Sequence, residues 1–279
     1  MFTPFTLNIR GELRRYERPQ VMGIVNVTPD SFYSGSRTQT EESVCEKVER
    51  MLSDGADFID IGAYSSRPGA DDVSPEKEMA RLETGLKAVR SVAPDIPVSV
   101  DTFRAEVAKV AVSEFGADII NDISGGSLDA DMFDAVAALR VPYILMHMRG
   151  TPSDMQTKTD YRDVTAEVMA DLSVKMRELR LKGVSDIIID PGFGFAKTLE
   201  QNYEMVRNLS LFTELLDAPL LVGVSRKSML TRLLGITPDQ ALSATTALNT
   251  LALTRGAAIL RVHDVLEASQ AVRIYQSSI

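Results

Sequence analysis

The sequence predicts a (β/α)8 barrel. Three observations carry that prediction. Eight short apolar runs recur along 279 residues, a helix-like stretch follows each run, and nearly every run ends on polar or charged residues. Short Val-, Ile- and Leu-rich runs suit strands buried on both faces, and eight strand–helix repeats suit a closed parallel barrel better than an open sheet.

Each element has its own justification. The first run, Val21–Val25, precedes the helical stretch Glu41–Ser53, which Asp54-Gly55 should end. The second, Phe58–Ile61, precedes Pro75–Val92, where Ser74-Pro75 sets a proline in the first helical turn. The third, Pro97–Val100, leads to Arg104–Glu114 and its stop at Phe115-Gly116. The fourth and fifth, Asp118–Ile120 and Val141–Met146, lead to Ala130–Ala138 and Tyr161–Lys182, the latter stopped by Gly183. Asp160 and Asp163 read there as a solvated first turn. The sixth, Ile187–Ile189, precedes Leu199–Leu216. The seventh, Leu220–Val224, precedes Ser228–Leu234 and then Asp239–Arg255, with Asp239 expected to cap the helix after Pro238. The eighth, Ala258–Val262, precedes Asp264–Tyr275.

Composition narrows the function classes. A 44% hydrophobic chain of this length can bury a large core, and α/β barrels of about 250 residues are single domains. No linker or low-complexity tract interrupts residues 1–279, so one domain is expected, with 1–19 as an N-terminal extension packing on the barrel. Arg10, Arg14 and Arg15 are not followed by the apolar core of a signal peptide, and no apolar run nears the ~20 residues of a membrane helix. A single cysteine, Cys45, excludes an intrachain disulfide and fits a reducing, cytoplasmic setting. Two histidines cannot make a His-rich zinc site, and a net charge of -9 argues against nucleic acid as a partner.

In a barrel the strand ends meet on one face, where barrel active sites lie. The ends here are Asn26, the Asp60 region with Ser65-Ser66-Arg67-Pro68-Gly69, Asp101, Asn121-Asp122, His147, Asp190-Pro191-Gly192, Ser225-Arg226-Lys227 and Arg261-Val262-His263-Asp264. Asp101, Asn121 and Asp190 suit the N–H edge of a flat nitrogen heterocycle. Arg67, Arg226, Lys227, Arg261 and His263 suit a diphosphate, and Asn26 is a neutral oxygen ligand for a Mg2+ held mainly by phosphate and water. Together they point to departure of diphosphate from a heterocyclic substrate. Helix capping competes with ligand binding for any single Asp or Asn. A structural reading competes for His147 and His263, and a simple tight turn competes with a binding loop for Gly192-Phe193-Gly194-Phe195.

At these residues the chain resembles the dihydropteroate synthase family of pterin-binding barrels. The resemblance runs through Met22–Phe32, Ser66–Ala70, Val100-Asp101-Thr102, Ile120–Gly126, Met146-His147-Met148, Asp190–Phe195, Gly223–Ser228 and Arg261–Val265. It implies that a pterin diphosphate and p-aminobenzoate are the substrates. Asp101, Asn121, Asp190 and Lys227 would bind the pterin edge, with Ile123, Met146 and Gly223 as walls and Arg261 on the ring face. Asn26, Ser66, Arg261 and His263 would hold the diphosphate, with Mg2+ at Asn26. Phe32, Ser66, Arg67, Pro68, Phe195 and Ser225 would hold p-aminobenzoate. Asp101, Asp190, Lys227, Arg261 and His263 would carry catalysis, by a dissociative route in which diphosphate leaves first. A homodimer is implied too, through helices such as Asp239–Arg255. Tyr33-Ser34 and Tyr64-Ser65-Ser66 depart from the family's usual loops, which carry a Ser-Asp pair in the first and a glutamate in the second. Two alternatives remain. A corrinoid-linked pterin methyltransferase would not need the diphosphate cluster, and a non-catalytic pterin-binding paralogue would bind without turnover.

Overall fold

The computed structural model describes residues 2–28, 41–64 and 73–279. The chain opens with an antiparallel hairpin, β1 (Phe5–Ile9) and β2 (Glu12–Tyr16). Eight parallel strands follow: β3 (Gln20–Asn26), β4 (Phe58–Gly62), β5 (Val98–Asp101), β6 (Ile119–Asp122), β7 (Tyr143–Met146), β8 (Ile187–Asp190), β9 (Leu221–Val222) and β10 (Ile259–Val262). Their spatial order is β8-β7-β6-β5-β4-β3-β10-β9, and an Ile189–Leu220 bridge brings the two ends together. The result is the (β/α)8 barrel that the eight runs predict.

The helices lie between the strands, and most match the helical stretches closely. They are α1 (Glu41–Ser53), α2 (Pro75–Val92), α3 (Ala105–Ser113), α4 (Met132–Leu139), α5 (Val164–Leu181), α6 (Leu199–Arg207), α7 (Leu209–Leu215), α8 (Ser228–Leu234), α9 (Leu242–Thr254) and α10 (Val265–Ser277). Ser74 caps α2 ahead of Pro75, and Asp163 caps α5 by accepting from the Ala166 N–H. Thr198 and Gln201 form a capping box on α6.

Three expectations need correction. The stretch 199–216 is two helices, broken at Asn208, whose amide donates to Thr165 Oγ1 on α5 at 3.1 Å. Asp239 does not cap α9; it lies in a one-turn 3-10 segment, Pro238–Gln240, boxed by Thr237 and Gln240, and α9 starts only at Leu242. The seventh barrel strand keeps only two ladder residues, Leu221 and Val222.

Strand alternation sorts the barrel interior into layers. Met22, Phe58, Ile119, Ile144, Ile188, Leu221 and Ile259 form one apolar cluster with Phe5, Leu7 and Ile9 of the hairpin. Phe5 stacks on Tyr16, whose ring lies 5.3 Å from Phe58. The hairpin therefore covers the lower end of the barrel. Its turn, Arg10-Gly11, has positive φ at both residues (55° and 83°), as a two-residue hairpin turn requires. Two positions further along four of these strands, the same inward face turns polar: Asp60 follows Phe58, Asn121 follows Ile119, Asp190 follows Ile188 and Arg261 follows Ile259. The ladder sets Asn26, Gly62, Asp101 and Asn121 side by side.

Asp118 ties the hairpin to the sheet. Its buried carboxylate accepts from Arg10 at 2.7 Å, from Arg90 at 2.6 Å and from the Val98 N–H at 2.8 Å. Asp118→Ala removes both ion pairs and orphans a buried amide. We predict a loss of about 3 kcal/mol in urea unfolding, the scale for breaking a buried pair, against no measurable change for Leu13→Ala at an exposed hairpin position. A loss below about 1 kcal/mol, the scale of a surface pair, would contradict this account.

Candidate active site

Arg261 sits at the centre of the polar layer. Its Nε donates to Asp60 Oδ2 at 2.7 Å, and one terminal nitrogen lies 3.0 Å from Asp101 Oδ2. Asn121 Nδ2 reaches the same Asp60 carboxylate at 3.3 and 3.4 Å. Asp60 is fully buried, and it organises the row although the sequence reading gave it no role. The signal was there: it is the inward residue after Phe58 on β4.

Burial pushes the Asp101 carboxyl up to about 7, against the pull of Arg261, with Asp60 adding to the rise. Asp190 is also raised, chiefly by burial, and is opposed by Lys227 and by the Gly192 N–H that donates to it at 2.8 Å. Lys227 moves the other way, to about 8, because burial penalises its charge while Asp190 supports it. Its ammonium donates to the Phe193 carbonyl at 2.6 Å and lies 4.8 Å from the Phe195 ring centroid. Acids and cations whose environments shift them toward neutrality from both sides mark a functional site.

Two glycines keep space open beside these groups. A Cβ on Gly223 would lie 4.0 Å from both Asp190 Oδ2 and Lys227 Nζ, and 3.9 Å from Arg261 Cβ. A Cβ on Gly62 would lie 3.4 Å from Asn26 Oδ1 and 3.7 Å from Asp101 Cβ. Ile123 and Met146 belong to a small apolar cluster with Met148, Met155 and Ala196, against which Phe103, Leu128 and Phe195 pack. An apolar wall beside a polar edge, with glycines at Gly62 and Gly223 adding no side chain there, suits a flat heterocycle.

His263 stands at the rim. Desolvation, with Arg261 and Lys47 nearby, pulls its imidazole below the usual range, although the residue stays exposed at the surface. Ser225 fixes it: its Oγ accepts from the His263 N–H and lies 3.1 Å from Nδ1.

Arg226 does not join the cluster. It is bound to Asp264 at 2.7 and 2.9 Å and donates to the Pro238 and Asp239 carbonyls, so it clamps the loops after β9 and β10. Asp122 likewise faces away, accepting from Tyr143, Ser124 and Gly126 to shape the loop after β6. His147 is buried and neutral, pulled down to about 2 by burial, and meets Lys197 at 3.1 Å. Sequence reading passed over Lys197, whose only signal was a lysine directly after the glycine-rich loop.

Phe32, Tyr33, Ser34, Ser65, Ser66, Arg67 and Pro68 lie outside the described residues. Tyr64 is described; its ring meets Phe103 edge-on at 5.1 Å, and the Arg104 guanidinium lies 5.4 Å from its centroid. Arg104 also pairs with the buried Glu78.

Comparison with known proteins follows the same outline. The model of the pterin binding enzyme family matches residues 22–263. A dihydropteroate synthase of Synechocystis is 42% identical, covering 92% of this chain and 89% of its own. The folate synthesis bifunctional protein of Arabidopsis thaliana is also 42% identical over 92% of this chain, which spans 56% of that longer protein. Among solved structures, the Yersinia pestis dihydropteroate synthase in complex with a sulfonamide drug superposes with a TM-score of 0.91 at 38% identity, covering 98% and 99% of the two chains. That of Xanthomonas albilineans with 4-aminobenzoic acid gives 0.90 at 39% identity, covering 99% and 98%. The chain belongs to the dihydropteroate synthase family of pterin-binding enzymes.

Proposed function

We infer that the chain joins 6-hydroxymethyl-7,8-dihydropterin diphosphate to p-aminobenzoate, giving 7,8-dihydropteroate and diphosphate. One observation carries this reading. The Arg261 guanidinium pairs with Asp60 and Asp101 and lies near enough to His263 to act on its charge, so one group can serve both a pterin face and a diphosphate. The relatives and the 4-aminobenzoic acid held by the Xanthomonas protein supply the second substrate.

The residues divide the work. Asp101, Asn121 and Asp190 bind the N–H edge of the pterin, and Lys227 donates to its oxygen or ring nitrogen. The C–O bond to diphosphate breaks first, and its electron pair leaves with the phosphate oxygen. Asp101 and Asp190 stabilise the cationic pterin methylene left behind, while Arg261 and His263 donate to the departing anion. The aniline nitrogen then attacks that carbon and loses a proton, which the released diphosphate accepts. Phe195 and Ser225, with Phe32, Ser66, Arg67 and Pro68, are the proposed aniline subsite.

Asn26 fits a Mg2+ that arrives with its substrate. It offers one neutral oxygen near the rim, and no group of three acidic, imidazole or thiol ligands is assembled among the described residues. Bound there, Mg2+ would neutralise charge on the diphosphate. Exposed Leu251 on α9, with Leu266 and Ile274 on α10 and Leu233 and Leu234 on α8, supports a homodimer through this side. The free Cys45 fits a reducing, cytoplasmic setting, and among the described residues no helix is long and apolar enough to cross a membrane.

Dihydropteroate formation that requires both substrates and Mg2+ tests the function; pterin binding without product would indicate a binding paralogue. We predict that Arg261→Ala lowers kcat by about 10²–10³, the scale of losing one preorganised charge donor, with fold checked by circular dichroism. Near-normal turnover would refute its role. In the pH profile of kcat/KM for the pterin diphosphate, activity should fall below about 7, as Asp101 gains a proton, and above about 8, as Lys227 loses one. Asp101→Asn should abolish the acid limb specifically. A sulfonamide should compete with p-aminobenzoate and not with the pterin diphosphate in steady-state inhibition.

A further inference from the structure

The loop after β8 touches two of the groups assigned to the pterin. The Gly192 N–H donates to Asp190 Oδ1, and the Phe193 carbonyl accepts from Lys227 Nζ. Wherever this loop sits, both charged groups follow.

Its backbone passes three times through the left-handed region, once at a residue that disfavours it. Gly192 and Gly194 have positive φ, and a Cβ on Gly192 would lie 2.0 Å from the His147 carbonyl oxygen. Ala196 also has positive φ, 49°, although it carries a side chain and is fully buried. That conformation costs an ordinary residue about 1–2 kcal/mol. Something must hold the segment down.

The next residue does so. Lys197 is 4% exposed, and its ammonium donates to the carbonyls of Gly192 at 2.9 Å and Phe195 at 3.0 Å. Its third neighbour is His147 Nδ1 at 3.1 Å. Three N–H donors thus meet three acceptors when neutral His147 carries its proton on Nε2. No carboxylate pairs with Lys197 among the described residues, so an ordinary buried salt bridge does not explain it. Burial pulls its pKa down to about 7, with Asp190 opposing that fall.

We propose that Lys197 is a positioning residue for the pterin site. It ties the Gly192 and Phe195 carbonyls together, and so fixes where Gly192 and Phe193 hold Asp190 and Lys227. This rests on the pterin reading above. It adds a group behind the pocket, anchored to His147 on the neighbouring strand end. The diphosphate side, built on Arg261 and His263 from β10 and the residue just past it, shares no hydrogen bond with this clamp among the described residues and should be indifferent to it.

That asymmetry supplies the test. Lys197→Met keeps length and removes the donors. Should it fail to fold, the double variant Ala196→Gly/Lys197→Met removes the left-handed strain that the lysine opposes. Titration calorimetry would compare 6-hydroxymethyl-7,8-dihydropterin with inorganic diphosphate plus Mg2+ on the folded variant and the parent. We expect pterin affinity to fall tenfold or more and diphosphate affinity to stay within twofold. Equal changes in both, or no change in either, would overturn the proposal. A parent protein that binds diphosphate but no pterin would instead sink the functional reading on which it rests.

Discussion

A guanidinium between two carboxylates inside a barrel is expensive to build and hard to replace. Arg261, Asp60 and Asp101 are each taken out of bulk water, and each is tolerable only because of the others. The cost fixes much else. The inward positions on β4, β5 and β10 cannot be exchanged for apolar ones without stranding a charge. The neighbouring inward positions Gly62 and Gly223 stay small, leaving room for a ring beside the triad. The carboxyl of Asp101 is raised because Arg261 compensates its burial only in part. A ligand that brings its own N–H donors and its own anion can take over contacts that the free protein makes with itself.

The barrel was legible because its strands are buried on both faces, and such strands read as plain apolar runs. Several helices were legible to the residue, since Ser74-Pro75 and Asp54-Gly55 punctuate them with local chemistry. The hairpin was less so. Its strands mix Arg, Glu and Asn with Leu and Ile because one face is wet, and its Arg10-Gly11 turn is a weaker signal than Asn-Gly. The break at Asn208 depends on a bond to Thr165, which sequence proximity cannot disclose.

The site was legible where residues end strands, because alternation then decides which way they face. Asp101, Asn121, Asp190 and Arg261 share one inward polar layer for that reason. Arg226 shows the limit of the approach: it follows a strand end like the others, yet its positive φ of 55° turns it to Asp264. His263 shows another limit, since desolvation and Lys47, distant in the chain, act on its charge together with the adjacent Arg261. Lys197 and Asp60 were missed because their importance lies in what they hold in place.

The hairpin at the lower end of the barrel has a consequence for traffic. Phe5, Leu7 and Ile9 pack against the inward apolar layer and close the barrel at that end. On the proposed reading, the molecule that lies deepest must enter first, and the one seated above it bars its exit. With the hairpin end closed, product must then leave by the strand-end face that admits both substrates. A ligand lodged at the rim would stop the cycle as completely as one at the bottom.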